Sequence, residues 1–323
     1  MFEKPRGVFP VVPLMGFPGT RLTKTTIREN LEDAEMHFES LKALYLKYRP
    51  DAMLTMMDLS IEAEALGISV IKPEDASYTV KEHPIRTREE LKGLKVPDPL
   101  KDGRLPLYLE VVRKMKASFD CYSMAYVIGP YTLAGLLNGA TNVVKNVLKN
   151  PEFLTELLDF CTKVVSVYGR ELIRAGADAI VILEPTATVL SPKQFNMYSG
   201  KYVSEIIKSW DKTPVILHIC GDTTHLIPDM LKTGCAGISL DSMVNFADVV
   251  KKIPAEILLI GNTDPVNYIA LGTKEELIAE VKRLLSSMAG KKNFVLSSGC
   301  DLPPETSHEN LELFVEMAKN FSH

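Results

Sequence analysis

The 323-residue sequence contains no apolar run near the roughly 20 residues that span a bilayer. Its opening stretch, MFEKPRGVFPVVPLMGFPG, lacks the apolar core of a signal peptide. A cytoplasmic protein with no membrane partner is expected. No basic arm or patch appears: 37 Lys and Arg against 41 Asp and Glu give a net charge of -4, and the pI near 5.9 argues in the same direction. Nucleic acid as a partner is therefore excluded as an expectation. Five cysteines, an odd number in a chain of this length, do not make a disulfide framework. With no Gly-x-Gly-x-x-Gly or Walker loop, a nucleotide cofactor has no support either.

What is present is the composition of a globular enzyme, 46% hydrophobic and 24% charged. Apolar runs at 178–184, 213–219, 236–241, 256–262 and 293–299 read as strands buried on both faces, and earlier strands are expected near 8–14, 51–57 and 122–129. Between them lie stretches of helical period at 27–48, 152–175, 192–209, 224–232, 273–289 and 306–320, joined early on by a polar, proline-containing segment at 72–106. Strands alternating with helices predict a parallel sheet. The count fits a (β/α)8 barrel forming one domain over 1–323, with a doubly wound sheet as the alternative.

Chemistry in such a barrel gathers at the C-terminal ends of the strands, and the residues falling there are unusually polar: Asp58, Glu184, His218, Cys220, Asp241, Asn262, Asp264 and Cys300. Residues two apart on a strand share a face, so His218 and Cys220 in PVILHICGD can reach one ion. Cys300 follows another strand end, in VLSSGCDLPP. One imidazole and two thiolates favour zinc over magnesium or calcium and leave a fourth position for substrate. Asp241 is read as a fourth ligand that leaves when substrate binds, or as a carboxylate holding its loop or His218. Asp241 and Glu184 are the candidate catalytic residues, Glu184 by bonding a ligand or substrate. Asp58, Glu62, Arg21 and Asn262 are candidates for substrate binding, with helix capping the plain reading of Asp58 and a surface turn that of Arg21.

Other residues are assigned blander roles. Cys161 and Cys235 read as packing residues. His225 either adds to the rim or lies on a solvated face, His37 and His83 read as surface or loop positions, and His308 and His323 have no evident partner.

The stretches HICGDTTHLI, SSGCDLPPETSHENL, DLSIEAEALG, GPYTLAGLL and EPTATVLSPKQF together resemble the uroporphyrinogen decarboxylase superfamily. They resemble most its zinc methyltransferase branch, the methylcobamide:coenzyme M methyltransferases and related corrinoid-dependent enzymes. The likeness implies a TIM barrel with zinc on His218, Cys220 and Cys300. It also implies methyl exchange between a corrinoid (methylcobalamin) and a small acceptor, such as a coenzyme M-like thiol or tetrahydrofolate. No Asp-x-His-x-x-Gly cobalamin signature is present, so the corrinoid is expected on a partner protein. An O-demethylase taking methyl from a methoxylated compound is the alternative direction. Decarboxylation is a further one, but the family's MRQAGR motif is replaced by MGFPGTRL, where Gly16 and Thr20 fall in the two arginine places and Arg21 is displaced by one.

Overall fold

The computed structural model describes residues 9–321. The strands are β1 (Ala52–Leu54), β2 (Val70–Ile71), β3 (Thr79–Val80), β4 (Tyr122–Ile128), β5 (Ala179–Leu183), β6 (Val215–Ile219), β7 (Gly237–Leu240), β8 (Leu258–Thr263) and β9 (Phe294–Ser298). Seven of them form one parallel sheet in the order β1-β4-β5-β6-β7-β8-β9, while β2 and β3 make a small antiparallel ribbon. The consecutive order follows from the helix that returns the chain after each strand.

The strand expected at 8–14 is reduced to a single parallel bridge between Val11 and Leu296, and residue 8 lies outside the described residues. Pro10 and Pro13 remove two ladder donors, which accounts for the loss of regular pairing. The segment still closes the sheet into a barrel. Val12 N donates to Leu296 O at 2.9 Å on one side, and Asp51 N donates to Val11 O at 3.0 Å on the other. This supplies the eighth position of a (β/α)8 barrel.

Strand alternation divides the core in two. Leu54, Met124, Tyr126, Val181, Leu183, Ile216, Ile260 and Val295 pack inside the barrel. Their strand neighbours, including Met53, Ala125, Ile182, Leu217, Leu259 and Leu296, pack outward against the helices. The helices mostly follow the periodicity, with local departures. The helix expected at 27–48 is two, Ile27–Glu32 and Ala34–Tyr48, because Asp33 bonds Glu35 N and Met36 N and starts a new helix. The segment 72–106 holds β3 and the short helix Arg88–Gly93, and the helix Leu105–Ser118 follows it. That last helix was missed, although Leu105, Leu109, Val112 and Met115 lie on its buried side. The helix placed at 224–232 is shorter, Ile227–Met230 with a 3-10 turn after it.

The helix Pro151–Ala175 packs on Trp210, whose Nε1 donates to Ser166 O at 3.0 Å. A Cβ at Gly169 would stand 2.0 Å from Trp210 Cζ2. Gly169→Ala is expected to lower stability by about 1–3 kcal/mol, because a buried indole has little room to retreat. Urea unfolding followed by far-UV circular dichroism checks this, and an unchanged midpoint would contradict the packing.

Candidate metal centre

On β6, Ile216 faces inward and Leu217 outward, so the two-residue period turns His218 toward the barrel axis. His218 pairs in register with Ser239 of β7, and its Nδ1 lies 2.9 Å from Ser239 Oγ. That contact leaves Nε2 facing Cys220 Sγ, 3.1 Å away. Cys300, two residues beyond β9, brings its Sγ to 3.3 Å from Cys220 Sγ. The three donor atoms all lie within 4.8 Å of one another.

This set fits a soft or borderline cation. Two thiolates at about 2.3 Å from one ion span at most about 4.6 Å, and the observed sulfur separation falls inside that limit. With a metal on Nε2, the proton belongs on Nδ1, where it donates to Ser239. The two sulfurs share a proton. Its hydrogen bond to Cys300, then burial, pushes the Cys220 thiol well above its usual range, while the Cys300 sulfur that accepts the bond, with His218 beside it, drops to about 4.

Asp241 follows β7 and is held over the same mouth: its Oδ2 accepts from Gly221 N at 2.9 Å and its Oδ1 from Met243 N at 3.1 Å. Gly221 adopts φ +86°, a turn that lets the chain bend directly after Cys220. Asn262 acts on this loop from β8, its Nδ2 donating to Asp241 O at 3.0 Å and Val244 O at 2.6 Å.

Glu184 is placed elsewhere. Leu183 faces the barrel interior, so the next residue turns outward. There Glu184 is wholly buried and accepts from Tyr131 N, Thr132 N and Ser199 Oγ at 2.9, 2.8 and 3.1 Å, which caps the helix Pro130–Asn138. Asp58 is also buried, in an ion pair with Arg104 at 2.6 Å, and Arg104 reaches Glu64 as well. Glu62 accepts from Ile128 N at 2.9 Å and is fully buried. Arg21 is exposed, donating to the carbonyls of Glu305 and Thr306 at 2.9 and 3.4 Å. The structure brings none of these four to the sulfur and imidazole donors; each is committed to the scaffold.

The other histidines also resolve. His37 is fully buried rather than superficial, with Nε2 accepting from Met56 N, and burial lowers its pKa to about 3. His225 Nε2 bonds Leu190 O, exposed His83 bonds Leu136 O, and His308 Nδ1 lies 2.7 Å from Tyr48 Oη. His323 lies outside the described residues. Cys161 and Cys235 are buried packing residues.

Two site residues escaped the sequence reading. Ser239 sits in AGISLD, and Tyr126 in MAYVIG; both are polar groups at inward positions of otherwise apolar strands. Tyr126 is 4% exposed. Burial first, then the charges of Asp301, Cys300 and Cys220, keeps its hydroxyl protonated.

A barrel with an imidazole and two thiols converging at the C-terminal end of its strands defines an enzyme of the (β/α)8 class with a candidate metal site. The chain belongs to the uroporphyrinogen decarboxylase (URO-D) family, whose model matches residues 3–321. It is 30% identical to the methylcobamide:CoM methyltransferase MtbA of Methanosarcina acetivorans, over 96% of this chain and 95% of that protein. It is 28% identical to a uroporphyrinogen decarboxylase of Prochlorococcus marinus, over 92% of this chain and 88% of the relative. Among solved structures, a methyltransferase from Methanosarcina mazei superposes with a TM-score of 0.89 at 25% identity, covering 98% of this chain and 95% of its own.

Glu62 provides a pH test of the scaffold. Burial raises its pKa from 4.5 to about 8, against the opposing bond from Ile128 N. The folded chain therefore keeps a proton that the unfolded chain loses. Its contribution is fully present below pH 4.5 and is lost as pH rises toward about 8. Relative to Glu62→Gln, the wild type is expected to lose stability across that window at up to about 1.4 kcal/mol per pH unit. Parallel pH profiles from chemical unfolding would contradict this placement.

Proposed function

We propose that this chain is a zinc methyltransferase that moves a methyl group between a corrinoid held on a partner protein and a small acceptor, in the first place a thiol. The observation that carries the reading is the convergence of His218 Nε2, Cys220 Sγ and Cys300 Sγ at the barrel mouth. The relatives named for methyl transfer from methylcobamide to CoM support the same chemistry. Bound by these three residues, zinc supplies the Lewis acidity that makes a thiol substrate a thiolate near neutral pH.

The chain's own groups prepare the site. Ser239 fixes the ring of His218, so Nε2 is presented without a rotational search. Asp241 is held by backbone donors beside the donors, placed to act as an exchangeable fourth ligand or to take up a proton as the thiol binds. Asn262 fixes that loop from below. Methyl transfer from the partner's corrinoid to the substrate sulfur then demands alignment more than further acid or base chemistry.

The decarboxylase reading is weaker on physical grounds. A polycarboxylate needs cationic clamps, and Gly16 packs so closely that a Cβ there would stand 2.8 Å from Met56 Cα, leaving no room for an arginine. Thr20 is buried and spends its hydroxyl on Phe17 O.

Two variants test the assignment. Cys220→Ser is expected to lose bound zinc and methyl transfer from methylcobalamin to a thiol, and full retention of both would contradict the ligand set. Ser239→Ala keeps the three donors but frees the ring, so zinc affinity in a chelator competition is expected to fall about 10–100-fold. Unchanged affinity would remove Ser239 from the account.

A further inference from the structure

The charges around the mouth are one-sided. Among the described residues, the first eight positions after each barrel strand, and after the closing segment at 10–12, contain no Lys or Arg. The same positions carry nine acidic residues; Asp58, Glu62 and Glu184 are committed to the scaffold, which leaves Asp222, Asp241, Asp248, Asp264, Asp301 and Glu305. Arg21, the cation nearest in sequence to any strand end, lies on the carbonyls of Glu305 and Thr306. Arg104, the one buried Lys or Arg among the described residues, is consumed by Asp58 and Glu64.

Several backbone donors at the strand-end turns are already occupied. In barrels the turn from strand to helix commonly binds anions through free N–H groups. Here the chain's own carboxylates occupy those groups: Glu184 takes Tyr131 N and Thr132 N, and Asp241 takes Gly221 N and Met243 N. Asp264 takes Val266 N and Asn267 N, and Asp222 takes Thr224 N. Two thiolates would cancel the charge of a zinc ion, so the metal itself adds no net attraction for an anionic tail.

An independent feature shows that the mouth keeps room for a ligand. The hydroxyl of Tyr126, on the inner face of β4 near Asp301 and both sulfurs, makes no hydrogen bond among the described residues and is not one of their fully buried unpaired polar atoms, so it stays open to the mouth. A phenol hydroxyl open to the mouth can donate to or accept from a ligand seated there.

We infer that the small molecule taken at this mouth carries no anionic group, and that an uncharged or positively charged thiol is preferred over one bearing a sulfonate, carboxylate or phosphate. The inference rests on the proposed methyl transfer to a thiol and narrows its substrate class. The sulfur gains the methyl group as its own proton leaves. The rest of the substrate keeps its ammonium or hydroxyl within reach of the acidic rim and Tyr126.

Three thiols that differ only at the far end test it: 2-aminoethanethiol, 2-mercaptoethanol and 2-mercaptoethanesulfonate. Each is titrated calorimetrically into the zinc-loaded full chain, and each is offered with methylcobalamin. Binding of the ammonium thiol about tenfold tighter than the sulfonate, with the gap shrinking as salt is raised, supports the inference. Equal or tighter binding of the sulfonate overturns it, and so does failure of the ammonium thiol to bind. Turnover is read separately: charge-ranked binding with no methylated product would leave the substrate class standing and sink the methyl-transfer reading. Glu305→Lys, a charge reversal at an exposed rim position outside the metal site, is expected to shift the ratio toward the sulfonate. An unmoved ratio would contradict control by rim charge.

Discussion

The two-residue period of the β-strand decides which polar groups of this protein meet. Once Ile216 packs into the barrel interior, His218 must face the axis, and the chain needs only the glycine turn at 221 to keep Cys220 there as well. Parallel register then sets His218 against Ser239 on the next strand, which fixes the ring through a single 2.9 Å contact. The same rule removes Glu184, one residue past an inward-facing leucine, from the mouth altogether. A shift of one residue in any of these strands would exchange donors for apolar side chains.

Most of the carboxylates near the strand ends serve the backbone rather than a substrate. Glu184 and Glu62 hold the two sides of the turn after β4, through Tyr131 N, Thr132 N and Ile128 N. Asp58 is neutralised by Arg104 in a buried pair, an arrangement that is costly to break from one side. A barrel mouth built this way is rigid, and its hydrogen-bonding capacity is largely spent before any ligand arrives. What stays open is chemically narrow: an imidazole nitrogen, two sulfurs, Asp241 and a phenol. That suits a reaction in which alignment matters more than proton relays.

Much of this was legible in the sequence. Seven strands and most of the long helices, Leu105–Ser118 excepted, follow from hydrophobic period, and the spacing of His218 and Cys220 on one strand face announced their convergence. Cys300 was readable because it follows another strand end. The failures have physical causes. Prolines at 10 and 13 reduce a strand to a bridge, and Asp33 splits a helix whose apolar pattern runs through it. Glu184 looks catalytic, and Glu62 looks substrate-binding, because a carboxylate near a strand end is the same letter whether it faces the axis or a helix terminus. Ser239 and Tyr126 looked like ordinary strand residues, since only register shows which partner lies across from them.

Membership in a family that contains both decarboxylases and methyltransferases leaves the chemistry to the site, and here the site is a sulfur-rich donor set whose strand-end turns, among the described residues, carry no Lys or Arg. The most direct measurement is X-ray absorption at the zinc edge of the metal-loaded protein, before and after addition of 2-aminoethanethiol. About one zinc per chain bound by two sulfurs and one imidazole, gaining a third sulfur with the thiol, is the predicted result. Failure to hold zinc, or a shell of oxygen and nitrogen without sulfur, would contradict the account at its centre.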